Sequence, residues 1–455
     1  MATANKLSRA DWQDLDSAHH LHPFTDHKDL HAKRSRIISR ADGVYIYDAD
    51  GKQILDGMSG LWCVNVGYGR DELVEAASAQ MHELPYYNSF FQCTNPPAIE
   101  LASLLKEVSP SQFNRVFFTG SGSESNDTII RMVRTYWALM GQPERQTIIS
   151  RKNAYHGSTV AAASLSGMSS MHKQGGLPIP GIVHVDQPYW FGSDHSQSPD
   201  ELGLAAARSI ERKIQELGAD KIAAFIGEPI QGAGGVIIPP ETYWPEVQRI
   251  CDEYGILLIS DEVITGFGRT GQWFGADTFG TKPDFMPFAK GVTSGYLPLG
   301  GVFVSDRVAD VLIDKAGEFA HGYTYSGHPA ACAVAIANIR IIQREKLVDR
   351  IHEDIGPYLQ KKWAELGEHP LVGEARMAGL MGAIELVSNK QTLERFPEKQ
   401  GVGSICRDNC IEAGLVMRAV GDTMIVAPPF TLSHEEADEL IDKARIALDK
   451  THAAV

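Results

Sequence analysis

The sequence predicts an α/β protein: a large domain on a mostly parallel sheet, and a small α+β domain assembled from both chain termini. Three observations carry this. Short apolar runs alternate with helix-like stretches between about residues 110 and 310. Such alternation predicts a mostly parallel sheet covered by helices on both faces. Residues 35–60 and the segment after residue 380 follow a different rhythm, with short strand-like runs among amphipathic stretches. No Pro-, Gly- or Ser-rich linker separates the parts, so tight packing is expected, with the small domain at 1–75 and 331–455 and the large one at 76–330.

In chain order, the first strand candidates are Arg36–Arg40, Gly43–Tyr47 and Gln53–Asp56, which alternate as short antiparallel strands do. The large domain offers strands at Arg115–Thr119, Thr147–Ser150, Ile222–Gly227, Ile256–Ser260 and Gly301–Val304. Helices are expected between them at about 123–140, 200–217, 242–254 and 306–315. Residues 331–364 read as helix, followed by strands at Leu380–Leu386, Gly414–Arg418 and Met424–Ala427. A final helix runs from about 434 to 450, with Ser433 and Glu436 at capping-box spacing before it.

Composition narrows the function class. The 455 residues can bury a large core, and 43% hydrophobic with 22% charged residues is usual for a globular chain. A formal net charge of −15 disfavours nucleic acid and anionic membrane as main partners. No run approaches the ~20 apolar residues of a membrane span, and Met1–Trp12 lacks the apolar centre of a signal peptide. Cys63, Cys93, Cys251, Cys332, Cys406 and Cys410 are scattered without a CxxC pair, so reduced cysteines in a cytoplasmic protein are expected. His19, His20 and His22 cluster near the N-terminus without converging acids or thiols, so no metal site is expected there.

The candidate chemistry gathers at predicted strand ends, where ligands bind in such sheets. Thr119-Gly-Ser121-Gly122-Ser-Glu124-Ser-Asn126-Asp127 follows a strand and opens a helix. It reads either as an anion site at a helix N-terminus or as a tight capped turn. It is not a P-loop, and Ser125 stands where a dinucleotide fingerprint has its third glycine. Tyr155, with His156 and Gly157 after it, is either a ring that stacks on a cofactor or a half-buried core tyrosine. Asp261 ends the most apolar strand and needs a cationic partner or a capping role. Glu228 is a second acid of the same crevice, with a structural hydrogen-bonding role as its alternative. Lys290 closes the apolar run Phe285–Ala289 and precedes a glycine-spaced turn. A pocket lysine beside an acid suits pyridoxal phosphate (PLP): the amine forms a Schiff base and the acid pairs with the ring nitrogen. Arg418 is either a carboxylate clamp or a surface arginine.

Together these segments resemble the class III, or omega-type, PLP-dependent aminotransferases of fold type I. The resemblance runs from about Leu21 to the final helix. Its strongest block is Ile259-Ser-Asp261-Glu-Val263-Ile-Thr-Gly266-Phe-Gly268-Arg-Thr-Gly271 with Ala289-Lys290-Gly291. Gly120–Asn126, Tyr155-His156-Gly157 and His321–Pro329 add to it. Gly60-Leu-Trp62-Cys-Val-Asn65 and Val416–Asp422 are similar to the amine:pyruvate branch, which includes putrescine:pyruvate and β-alanine:pyruvate aminotransferases.

The resemblance implies that Lys290 holds PLP and shuttles the substrate proton, and that Asp261 keeps the pyridine nitrogen protonated. Tyr155 and Val263 would sandwich the ring, with His156 and Glu228 among the cofactor's neighbours. Ser121 and Gly122 would bind the phosphate together with Thr324 of the partner subunit. Trp62, Phe90, Phe91, Tyr155 and the partner subunit's Tyr323 would shape the amine pocket. An obligate homodimer with interface active sites is implied, alone or within a tetramer. One departure stands out: relatives acting on ornithine or 4-aminobutyrate carry a glutamate where this chain has Ala233, after Gln231-Gly232. Arg418 would then be a mobile clamp for pyruvate that swings aside for an amine lacking a carboxylate. The expected reaction takes a primary amine, such as putrescine or an omega-amino acid, and pyruvate to an aldehyde or ketone and L-alanine. Rival readings are another fold type I PLP activity (aminomutase or decarboxylase), a β-alanine or taurine:pyruvate aminotransferase, and a nucleotide-dependent oxidoreductase.

Overall fold

Seven strands form the central sheet of the computed structural model, which describes residues 7–455; the first half of the stretch read for a leader lies outside the described residues. Strands β1 (Ile38–Asp42), β2 (Tyr45–Asp48) and β3 (Gln53–Leu55) make a separate antiparallel N-terminal sheet. The central sheet contains β4 (Phe113–Thr119), β5 (Thr147–Arg151), β6 (Ile182–Val185), β7 (Ile222–Gly227), β8 (Leu257–Ser260), β9 (Phe285–Phe288) and β10 (Gly300–Ser305). A third sheet follows, of β11 (Val372–Ala378), β12 (Met381–Leu386), β13 (Arg418–Val420) and β14 (Thr423–Val426).

The central order is β4-β10-β9-β8-β7-β5-β6. β10 runs antiparallel to β4 and β9, and every other neighbouring pair is parallel. Six strands therefore end on one edge of the sheet. The inner strands β7, β8, β9 and β10 are buried along their whole length, which is why they read as unbroken apolar runs. Gly300 and Gly301 let β10 slot between its neighbours: a Cβ on Gly301 would meet the Phe288 ring at 2.4 Å.

Helices cover the sheet much as expected, at Gly122–Leu139, Pro199–Leu217, Tyr243–Tyr254 and Asp306–Lys315. The first packs Ile129, Ile130 and Val133 into a core with Ile226, Ile259 and Val302, while Ile210, Val247 and Ile250 fill the opposite face with Phe225 and Leu258. The final helix spans His434–His452, and Ser433 and Glu436 form the reciprocal capping box.

Three segments depart from the expectations. β6 was not anticipated: it is only four residues long, and polar His184 interrupts its apolar run. β11 was also missed, because Val-Gly-Glu-Ala-Arg-Met-Ala is half-buried and mixes charge with apolar residues. Gly414–Met417 lies outside the named strands, and β13 starts at Arg418. Leu415 instead bridges to Leu55 in parallel, with Leu55 donating to Gly414 O at 2.9 Å and Val416 to Leu55 O at 2.8 Å. That splice joins the N-terminal sheet to the C-terminal segment. No helix among the described residues is long and apolar enough to cross a membrane.

Candidate active site

Five parallel strands deliver side chains to one cavity of about 370 Å³ at their carboxyl ends. β4 brings Ser121 and Gly122, β5 brings Tyr155 and His156, β7 brings Glu228, β8 brings Asp261 and Val263, and β9 brings Lys290. Of the sequence candidates, these eight line the cavity together.

Lys290 is not in the strand itself. β9 stops at Phe288, and Lys290 opens a tight 3-10 turn with φ of +51°. A non-glycine residue in the left-handed region is uncommon, and here it turns the lysine out of the ladder toward the cavity. The surrounding protein holds its amine below the ordinary 10.5: burial is the main cause, and the Arg418 charge adds to it, opposed by Asp261 and Glu228.

Asp261 is buried and fully engaged. Its Oδ2 accepts from Asn126 Nδ2 at 2.9 Å and lies 2.6 Å from His156 Nδ1, while Oδ1 accepts from Val263 N at 3.1 Å. Asn126 also donates to His156 O at 2.8 Å, so one amide ties the two partners together. Asn126 sits in the loop singled out in the sequence, but its role was not read there. The helical spacing that turns it inward, four residues after Gly122, was the available clue.

Glu228 fills the structural alternative weighed for it. Oε1 accepts from Tyr155 N and Oε2 from Gly232 N, each at 3.0 Å, so the carboxylate fixes the Tyr155 backbone. Burial pushes its pKa up, and the nearby His156 opposes that shift. Glu262, the next acid, points into the core, where Ser260, Thr265, Gly275 N and Ala276 N all donate to it.

The anion end is the helix N-terminus at Gly122. Ser121 caps it by accepting from Glu124 N at 3.2 Å. Glu124 does not close the box on Ser121; it reaches Gly120 N at 2.6 Å instead. Among the described residues no side chain accepts from the N–H groups of Gly122 and Ser123, which leaves them for an anion. The cradle has no room for side chains. A Cβ on Gly122 would lie 2.9 Å from Val263 Cγ2, one on Gly157 2.5 Å from Ser123 Oγ, and one on Gly300 2.7 Å from Ser121 O. Free anion donors at a helix N-terminus, Tyr155 and Val263 on the wall, a buried acid and a lysine in one cavity fit pyridoxal phosphate.

The other candidates stand outside this cavity in a single chain. Trp62 is buried with Met58, Ile230, Val236 and Ile264 behind the wall, and Ala233 is buried too. Phe90 lines a second cavity with Phe117, His321 and Gly322. Phe91 is 90% exposed. Tyr323 donates through its hydroxyl to Glu124 O at 3.2 Å, and Thr324 is exposed, its carbonyl accepting from Tyr86 Oη at 2.7 Å. Arg418 is half-buried and forms no ion pair or side-chain hydrogen bond among the described residues. Burial lowers its pKa, and the nearby Tyr155 opposes that. Cys63, Ile264 and Thr293 line the cavity without having been anticipated.

Known proteins resemble the whole chain. The sequence pattern of the family described as Aminotransferase class-III matches residues 28–448. A putrescine–pyruvate aminotransferase of Pseudomonas aeruginosa is 59% identical over 445 residues, covering 98% of this chain and 97% of that one. A mitochondrial gamma-aminobutyrate transaminase of Oryza sativa is 41% identical, covering 98% and 84%. Among solved structures, an (S)-enantioselective omega-transaminase from Thermomicrobium roseum superposes with a TM-score of 0.95 at 44% identity, covering 98% and 99%. The omega transaminase of Pseudomonas jessenii in complex with PMP does so with 0.95 at 39%, covering 97% and 98%.

Proposed function

The chain belongs to the class III PLP-dependent aminotransferases, and on that premise we propose that it moves the amino group of a primary amine, a diamine such as putrescine, to pyruvate. The products are an aldehyde and L-alanine. The observation that carries this reading is Arg418, whose charge is felt at Lys290 and which forms no ion pair among the described residues, while Ala233 stands where a partner glutamate would be. A free guanidinium can clamp the pyruvate carboxylate through two parallel bonds and move away when an amine without a carboxylate enters. The Pseudomonas aeruginosa relative named for putrescine and pyruvate supports the same choice.

When bound, PLP supplies the electron sink that lets the carbon bearing the amine lose a proton. Lys290 Nζ would take that proton and return it two atoms along, beyond the intervening nitrogen, and burial, which lowers the amine's pKa from its ordinary value, favours the neutral form that can act as a base. Asp261 would hold a proton on the cofactor's ring nitrogen, and His156 and Asn126 fix the carboxylate. Gly122 and Ser123 would offer backbone N–H groups to the phosphate, and Ser121 its hydroxyl. Tyr155, its backbone held by Glu228, and Val263 would flank the cofactor's ring. Both half-reactions use one site, so ping-pong kinetics follow.

The working unit in this reading is a homodimer, alone or within a tetramer. Thr324 and Tyr323 lie outside the cavity of their own chain, on a surface that also carries exposed Tyr86, Tyr87, Phe91 and Tyr325. A partner's copy of that surface would complete the phosphate end and the amine pocket. The six unpaired cysteines suit a reducing compartment, the cytoplasm.

The test is the purified holoenzyme with putrescine and pyruvate, read by alanine formation. Wild type makes alanine, and Lys290→Ala loses at least about 10²–10⁴-fold in rate. Full activity in that variant, or no alanine from wild type with any of putrescine, spermidine, β-alanine, taurine or 1-phenylethylamine, would sink the assignment.

A further inference from the structure

Asp16, His20 and His22 converge near the N-terminus, apart from the catalytic cavity. We propose that they bind a divalent transition-metal ion of the zinc class.

Asp16 and His20 are one helical turn apart at the end of the helix Arg9–His19, and His20 caps it by donating its N–H to Asp16 O. That spacing puts both side chains on one face. The chain then turns back and lays His22 on the same carboxylate. His22 Nε2 lies 2.9 and 3.0 Å from the two Asp16 oxygens, and His20 Nδ1 lies 3.1 Å from Oδ1. The imidazoles lie together, 4.2 Å between centroids. All three ligand atoms fall within 4.8 Å of one another. A metal bonded at about 2.0–2.1 Å to each can be reached by side-chain shifts alone, without refolding the turn.

The charge balance points the same way. Asp16 is only 15% exposed in its side chain, yet its ion-pair partners among the described residues are these histidines, with no lysine or arginine. A cation held by the three side chains would balance the carboxylate. His20, 61% exposed, leaves the cluster open on one side for ion entry and a bound water. Two imidazoles and one carboxylate favour zinc, nickel, cobalt or copper over the oxygen-seeking calcium and magnesium. The sequence alone showed the histidines but not the acid, because Asp16 joins them only through the helical turn.

The site has a bearing on the catalytic cavity. Phe24, two residues after His22, has φ of +49° and sets its ring 6.3 Å from Tyr155, edge to face. An ion on His22 would fix the segment that holds Phe24 beside that cofactor-facing tyrosine.

The experiment titrates chelator-treated holoenzyme with Co²⁺, read by visible d–d absorption away from the cofactor band, with Zn²⁺ as competitor. The expected result is saturable binding of one ion per chain. Asp16→Asn and His22→Gln should each weaken it at least about tenfold, while His19→Gln leaves it unchanged; retained cofactor absorbance reports folding. A second measurement needs no variant: Zn²⁺ should protect His20 and His22, but not His19, from diethylpyrocarbonate labelling mapped by mass spectrometry. No saturable Co²⁺ signal, or equal labelling with and without Zn²⁺, would show a plain hydrogen-bond network and overturn the proposal.

Discussion

His156 Nδ1 lies 2.6 Å from Asp261 Oδ2, and both side chains are almost wholly enclosed. The ring's other nitrogen, Nε2, is buried without a hydrogen-bond partner among the described residues. The imidazole is thus committed to the acid and held by it, and the acid's remaining direction is the cavity.

That arrangement makes Asp261→Asn a test of charge rather than shape. The amide can keep a hydrogen bond to Val263 N but cannot hold a proton on the ring nitrogen. Losing one partner of a buried charged pair costs about 2–5 kcal/mol, so alanine formation should fall by roughly 30-fold to several thousand-fold. Stopped-flow rates of the amine half-reaction would show it. A rate within threefold of wild type would remove Asp261 from the chemistry.

Arg418→Ala should separate the two half-reactions. A hydrogen bond to a charged group contributes about 1.5–3 kcal/mol, so the pyruvate half-reaction should slow by roughly 10–150-fold in kcat/KM. The putrescine half-reaction should change little. Equal losses in both would contradict a swinging arginine.

Gly122→Ala probes the cradle. The backbone there is helical, so alanine suits the helix, but its Cβ would sit 2.9 Å from Val263 Cγ2. Equilibrium dialysis should show weaker PLP binding by about tenfold or more, equivalent to about 1.4 kcal/mol, with apoenzyme Tm unchanged or lowered as Val263 is displaced. Unaltered affinity would mean that Val263 yields freely.

The amine of Lys290 gives a pH dependence. Its folded value lies below the ordinary 10.5, so in apoenzyme it becomes a neutral nucleophile at lower pH than a free lysine does. The linkage sign follows: as pH rises through the folded value the native state loses its proton first, so apoenzyme stability increases until the unfolded value is passed. PLP capture by apoenzyme, trapped with borohydride, should rise with a midpoint below 10.5. Arg418→Gln should move that midpoint upward, because its charge is one cause of the depression. A downward shift would show that Arg418 does not act on the amine.

Much of this was legible because strand ends are punctuated in sequence. Leu257–Ser260 is an unbroken apolar run, and the acid that breaks it, Asp261, is thereby placed at the sheet's edge. The same logic located Lys290 and Glu228. It failed where a residue works through a partner distant in sequence. Asn126 matters because it bonds to Asp261, and 135 positions separate them. Arg418 comes near enough for its charge to act on Lys290 through the pairing of β13 with β14 and the splice of Leu415 to Leu55.

The sequence by itself determined the α/β class, the family and eight of the residues that line the cavity, since local apolar runs, glycines and strand-end acids are properties of neighbouring positions. Tertiary structure alone decided how those residues are held: the turn that aims Lys290, the amide that locks His156 to Asp261, and the gathering of Asp16 with two histidines. Each depends on where separate segments meet in space, and no local pattern records that.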